Sequence, residues 1–232
     1  MFKRGTTGRR LGLAIALVAL GAMVYVGIAL AASDTIVAGP SEAYDHQPGN
    51  APYNTDQGVV VQFQDSGDSH NVTARQAGPD GKALFRTPTI SGGTAGVDGT
   101  QYLSAGDYAF FCTVHPTTMS GTLHVTGIGT AQTRPSAQVS VRSKKLAKAR
   151  KKGILVAITS SAKVDGASLV AKLGKTTIGK LDGISLASGQ SFATVKLTKA
   201  GKSKLSKKSK ASVSVTADIP FGSPATAKSK LT

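Results

Sequence analysis

Between Gly106 and Val125 the chain reads GDYAFFCTVHPTTMSGTLHV. This passage holds the single cysteine, two of the four histidines and the only methionine outside the first 23 residues. One cysteine cannot form an intrachain disulfide, so Cys112 is a buried thiol, a nucleophile or a metal ligand. Cys112, His115 and Met119 stand at the spacing C-x2-H-x3-M on a loop between two strand-like segments, and His70, in SHNV, sits at a strand start 42 residues before the cysteine. A Cys–His nucleophile needs its imidazole oriented by a third group and an oxyanion site. No such set is visible, and His115 lies too near Cys112 on a proline-containing loop. An enzyme is therefore not expected.

One thiolate, two imidazoles and a thioether make a soft-to-borderline donor set. A trigonal plane of two His and one Cys with a weak axial Met is the blue-copper arrangement. Copper cycles between a soft Cu(I) and a harder Cu(II). A site that holds one compromise geometry for both keeps reorganisation small, which fast electron transfer requires.

The residues around this set resemble the copper-binding half of a cupredoxin of the plastocyanin, pseudoazurin and amicyanin type. Gly106-Asp107-Tyr108 before FFC, then CTVHP, Met119, Gly121 ahead of the last strand, and the upstream HNV carry the likeness, which spans about Gly58 to Val125. The resemblance implies one type 1 copper held by His70, Cys112 and His115, with Met119 axial. It implies that Asn71 ties the two ligand loops together by hydrogen bonds, and that His115 is the solvent-edge ligand where a redox protein docks. Three residues, Pro116-Thr117-Thr118, separate His115 from Met119. Plastocyanins have four there and amicyanins two, which bears on the axial distance and the potential. A multicopper oxidase needs about eight further histidines, and the total of four excludes it. His124 alternates with inward Leu123 and Val125 and is expected to face outward. His46, in a Gly/Pro-rich loop, is expected to be solvated.

The elements that must position these residues are strands. Among 232 residues there are 27 Gly and 9 Pro, no Trp and only 5% aromatics, a composition of many turns and short strands. The expected fold is all-β: a Greek-key cupredoxin β-sandwich over residues 33–128, a linker over 129–138, and a second small Ig-like β-sandwich over 139–232. In the first, residues 34–57 read as loop-rich with one edge strand near Thr35–Ala38. Gly58–Gln64 reads as a strand, DSGDS as a turn, and HNVTARQ as resumed alternation. GPDGK is a turn, Leu84–Thr87 and Gln101–Leu103 are short strands around an SGGTAGVDGT loop, and Asp107–Thr113 and Gly121–Thr126 flank the cysteine loop. In the second, SAQVSVR, GILVAITS, SLVAKLG, SFATVKLT and ASVSVTAD read as strands, with KKLAKARKK and KAGKSKLSKKSK as helical turns or loops.

Charge divides along the same boundary. The net charge is +16, yet residues 33–130 hold three Lys/Arg against nine acids, whereas residues 131–232 hold 21 against three. Residues 1–32 begin basic and continue as an uncharged apolar run from Leu11 to Ala32, with Ala29-Leu30-Ala31 as a small-x-small cleavage pattern. This is a hydrophobic helix that serves either as a signal peptide or as an N-terminal membrane anchor. Either places the rest outside the cytoplasm, secreted or held at the outer face of the membrane. The basic half has no His or Cys. It is expected to meet an anionic cell-surface polymer or membrane, or to be a spacer. Nucleic acid is not expected, for no groove-reading helix or aromatic platform appears. A monomer is expected. Two functions remain open: an exported type 1 copper protein that passes single electrons between redox partners, and an extracytoplasmic copper protein for scavenging, storage or delivery.

Overall fold

Alternating apolar residues build the strands, and their inward faces build two separate cores. The computed structural model describes residues 32–40, 42–46 and 51–232. The leader expected over residues 1–32 lies outside them except for Ala32. Among the described residues no helix is long and apolar enough to cross a membrane.

The first sandwich pairs two sheets. One contains β1 (Thr35–Ala38), β3 (Gln62–His70) and β5 (Ile90–Gly96), in the order β1-β3-β5. The other contains β2 (Tyr53–Gln57), β4 (Thr73–Ala74), β6 (Gly106–Phe111) and β7 (Ser120–Gly129), in the order β2-β7-β6-β4. The chain crosses between the sheets at each step from β1 to β6, as a Greek-key sandwich does. Ile36 and Phe63 from one sheet meet Phe110, Leu123 and Val125 from the other in a single buried cluster.

The second sandwich has seven strands. β8 (Ala137–Val141), β9 (Ile154–Ser160) and β12 (Gly189–Val195) form the sheet β12-β9-β8. β10 (Val164–Leu173), β11 (Thr176–Leu186), β13 (Ala211–Asp218) and β14 (Ala225–Leu231) form the sheet β11-β10-β13-β14. This three-plus-four division of an antiparallel sandwich is Ig-like. Its core is Val156, Ile158, Leu169, Val213, Val215 and their neighbours. Two helices, α1 (Leu146–Lys152) and α2 (Lys199–Ser206), cap one end and insert Leu146, Ala149 and Leu205 into that core. They occupy the two lysine-rich segments.

Several local expectations differ from the structure. β2 lies inside the segment read as loop. The SGGTAGVDGT segment forms most of β5, and Gln101–Leu103 lies at a 3-10 turn over Thr100–Tyr102. Glycines hide a strand from propensity, yet backbone pairing with β3 needs no side chains: Gln62 to Asp65 pair with Gly96 to Gly93. DSGDS is no turn either. β3 runs through it with a bulge, so that Ser66, Gly67 and Asp68 are opposed by Gly92 alone.

The sandwiches touch through Phe221, in the β13–β14 connection, the one described non-glycine residue with a left-handed φ, +60°. Its N–H donates to Asp80 Oδ2 at 3.1 Å, its carbonyl accepts from Arg134 at 3.3 Å, and its ring lies 4.2 Å below the Arg86 guanidinium. A Cβ at Gly99 would come within 2.8 Å of that ring, so the backbone approaches it as only glycine allows. Burial works against the Asp80 carboxylate, but the N–H groups of Phe221 and Lys82 and the Arg86 guanidinium hold its pKa below the ordinary value. A depressed carboxylate stabilises fully above its unfolded pKa, near 3.9, and ceases to do so as pH falls through the folded value. Phe221→Ala should cost about 1–3 kcal/mol and let the two halves tumble separately, read by NMR relaxation. Asp80→Asn should flatten the loss of stability below about pH 4. Joint tumbling retained by Phe221→Ala would refute the clamp.

Candidate metal centre

Two crossings of the first sandwich bring the candidate residues together. β3 ends at His70, and β6 delivers Cys112 one residue beyond Phe111. The segment from Cys112 to Met119 folds back on itself: the Met119 N–H donates to the His115 carbonyl, and the Cys112 N–H donates to the Met119 carbonyl, both at 3.0 Å. Cys112, Met119 and His70 are each fully buried. The His115 side chain keeps 19% of its surface exposed, and its Nε2 lies 3.6 Å from Glu42 Oε1. The His70 and His115 ring centroids are 5.1 Å apart.

Asn71 joins the loops. Its Nδ2 donates to Thr113 Oγ1 at 2.7 Å and to Thr89 Oγ1 at 2.9 Å, while its Oδ1 accepts from the Thr113 N–H at 3.0 Å. The residue after His70 is thereby bonded twice to the residue after Cys112. Tyr44 adds a third tie by donating to the Asn71 carbonyl at 2.5 Å. Burial, the neighbouring Cys112 and Tyr53 all push its phenol pKa upward, so the tyrosine stays a neutral donor.

The β3 bulge explains the position of His70. In a straight strand, residues five apart face opposite sides and lie about 16 Å apart. With three residues bulged outward, Asp65 Oδ1 instead meets His70 Nδ1 at 2.7 Å, both side chains fully buried. Burial opposes the Asp65 charge, but the Gly92 N–H, at 2.5 Å, and His70 hold its pKa below the ordinary value. A carboxylate at Nδ1 fixes the proton there and leaves Nε2 as the lone-pair nitrogen. Asp65 has no signal in the sequence, because its partnership exists only through the bulge.

Buried polar atoms almost always find partners. His70 Nε2 and His115 Nδ1 do not: both are buried without a hydrogen bond. Among the described residues, no three His, Cys, Asp or Glu side chains form a group arranged to hold a metal ion. The donor types nevertheless suit a soft metal: two unpartnered imidazole nitrogens on rings 5.1 Å apart, and a buried thiol and a buried thioether on the loop that carries His115. The remaining histidines lie apart. His124 is 43% exposed and bonds Asp107 at 2.6 Å. His46 differs from its expected solvated state, for its ring stacks on Tyr53 with centroids 4.3 Å apart, and its Nδ1 is also buried and unpartnered.

No family model and no curated protein matches the chain. Three solved structures that align with it are amicyanins. A reduced variant aligns at 21% identity and TM-score 0.29, covering 40% of this chain and 81% of that one. A second variant, in its Cu(I) form at pH 4, aligns at 24% and 0.29 over 40% and 84%. A Cu(I) form of a third variant aligns at 26% and 0.30 over 39% and 81%.

Packing behind the site is equally constrained. A Cβ on Gly121 would fall 2.6 Å from the Phe110 ring, the core residue two before Cys112. Gly121→Ala should therefore cost about 1–3 kcal/mol in chemical denaturation. Asn71→Ala should cost about as much, by removing the bonds to Thr113 and Thr89 that join the loops. Wild-type stability in both variants would mean that the loops are held by something else.

Proposed function

We propose that this chain is a type 1 copper protein of the cupredoxin kind that passes single electrons between redox partners outside the cytoplasm. His70, Cys112, His115 and Met119 would hold the ion. The observation that carries the reading is the pair of orphaned imidazole nitrogens, His70 Nε2 and His115 Nδ1, on rings 5.1 Å apart, together with the buried Cys112 and Met119. A bound copper supplies a reversible one-electron couple with little reorganisation.

The protein's own residues account for the rest. Asp65 orients the His70 ring and holds its proton on Nδ1. Asn71 fixes the spacing between the His70 and Cys112 loops. Tyr44 holds the Asn71 carbonyl by a buried hydrogen bond, and burial of His70, Cys112 and Met119 keeps water from them. The partly exposed His115, flanked by Val114 at 45% exposure, is the edge offered to a redox protein. Deep burial favours an electron carrier over a scavenger, which must take up and release its metal from solvent.

Copper loading should produce an intense visible thiolate-to-copper band and a one-electron couple that cycles at constant metal content. Cys112→Ser should abolish the band, and His124→Ala should leave it intact. Asp65→Ala, which removes the anionic partner of His70, should raise the potential by weakening support for Cu(II). A coloured Cys112→Ser protein would overturn the ligand assignment, and metal lost during cycling would favour the scavenger.

A further inference from the structure

The second sandwich is electrically polar from end to end. β8, β12 and β10 run toward one end, and β9, β11 and β13 run away from it. Each connection at that end is cationic. The segment containing α1, residues 142–152, holds seven Lys/Arg and no acid; the segment containing α2, residues 196–210, holds seven Lys and no acid. The β10–β11 turn adds Lys175, and β14 ends there with Lys228 and Lys230. Arg150 donates to the Ser206 carbonyl at 3.4 Å, and Lys204 donates to Thr176 Oγ1 at 2.9 Å, so both helices and the turn form one surface.

The acids of this half lie elsewhere. Asp165, Asp182 and Asp218 line the cleft of about 400 Å³ and its neighbours near Asp80 of the first sandwich. Two lysines at that end are already paired, Lys163 with Asp165 at 3.3 Å and Lys180 with Asp182 at 3.1 Å. Among the described residues, no ion pair involves a cation of residues 142–152 or 196–210. Like charges packed together repel one another and destabilise the fold. Their concentration at one end calls for an external anion.

We infer that this helix-capped pole binds an anionic glycan chain, a sugar polymer bearing phosphate or carboxylate groups. The pole has no aromatic side chain on which a nucleobase could stack, and α1 and α2 have only seven and eight residues, too short to read a groove. The exposed large apolar residues of this half, Leu155 and Phe192, lie on strands of the three-stranded sheet and are not interleaved with the helix lysines, as an interfacial membrane helix requires. Beside the pole, Lys172 pairs with Ser214 and Ser214 with Lys228, while Ser212 pairs with Lys230. That alternation of ammonium and hydroxyl suits a chain carrying both anions and hydroxyls.

The inference does not depend on the copper reading. It is tested on the full chain with heparin as the anionic glycan, single-stranded DNA of matched charge, and vesicles that mix neutral with anionic lipid, whose negative surface potential attracts polybasic segments. Two triple variants lose the same charge: Lys148/Lys151/Lys208→Gln at the pole, and Lys82/Lys163/Lys180→Gln at the other end. Heparin should bind most tightly, with affinity falling steeply as salt rises. The pole variant should weaken it at least about tenfold at low salt with a shallower salt slope, and the other variant should change it much less. Equal losses from both variants would reduce the effect to net charge and overturn the inference. Tighter binding to DNA or to vesicles than to heparin would overturn the choice of glycan.

Discussion

Everything around the candidate centre depends on the double hydrogen bond between Asn71 and Thr113. These residues are 42 apart in sequence, and neither loop is fixed by strand pairing at that point. β4 has only two residues and the Cys112 loop is solvent-facing at Thr113, Val114 and Pro116. A side-chain amide that both donates and accepts substitutes there for a ladder. Because Asn71 itself is buried, leaving its amide without partners is costly, and the arrangement is held more tightly than either loop would hold itself.

The donor types and their spacing were legible in the sequence, since C-x2-H-x3-M with an upstream HNV is a chemical pattern independent of conformation. The neighbours of those residues were less so. Asn71 could be anticipated through resemblance, whereas Asp65 could not, because a carboxylate five residues before a histidine meets it only when the strand bulges. Tyr44 and Glu42 arrive from a segment without a regular period. In the fold, strands with alternating Val, Phe and Leu were readable, but β5, with three glycines in seven residues, and β14, with lysines at alternate positions, are set by pairing partners elsewhere. The two lysine-rich segments become helices because Leu146 and Leu205 find a core, a tertiary cause that propensity alone does not contain.

Charge sorting gives the molecule its direction. β6 and β7 run between the candidate centre, at Phe111 and Ser120, and the side of the sandwich from which the chain leaves at Gly129. Beyond Phe221 the second sandwich places its acids near the contact and its unpaired cations at the far end. Asp80 and Arg86, an anion and cation of the first sandwich paired with each other, receive Phe221 at that contact. The clamp is made by one aromatic ring and a few directed hydrogen bonds, so its geometry does not rely on attraction between the net charges of the two halves.

The pairing of β2 with β7 sets an order of assembly. Tyr53 lies beside Leu123 and Thr55 beside Val125, in parallel, across some 70 residues of intervening chain. Such contacts repay their loop-closure entropy late and slow folding. The second sandwich instead begins from neighbours, with β10 against β11 and β13 against β14 joined by short connections. During synthesis the N-terminal sandwich leaves the ribosome first. β7 can therefore seek β2 before the C-terminal strands exist, and the pocket around Cys112 closes without waiting for its neighbour.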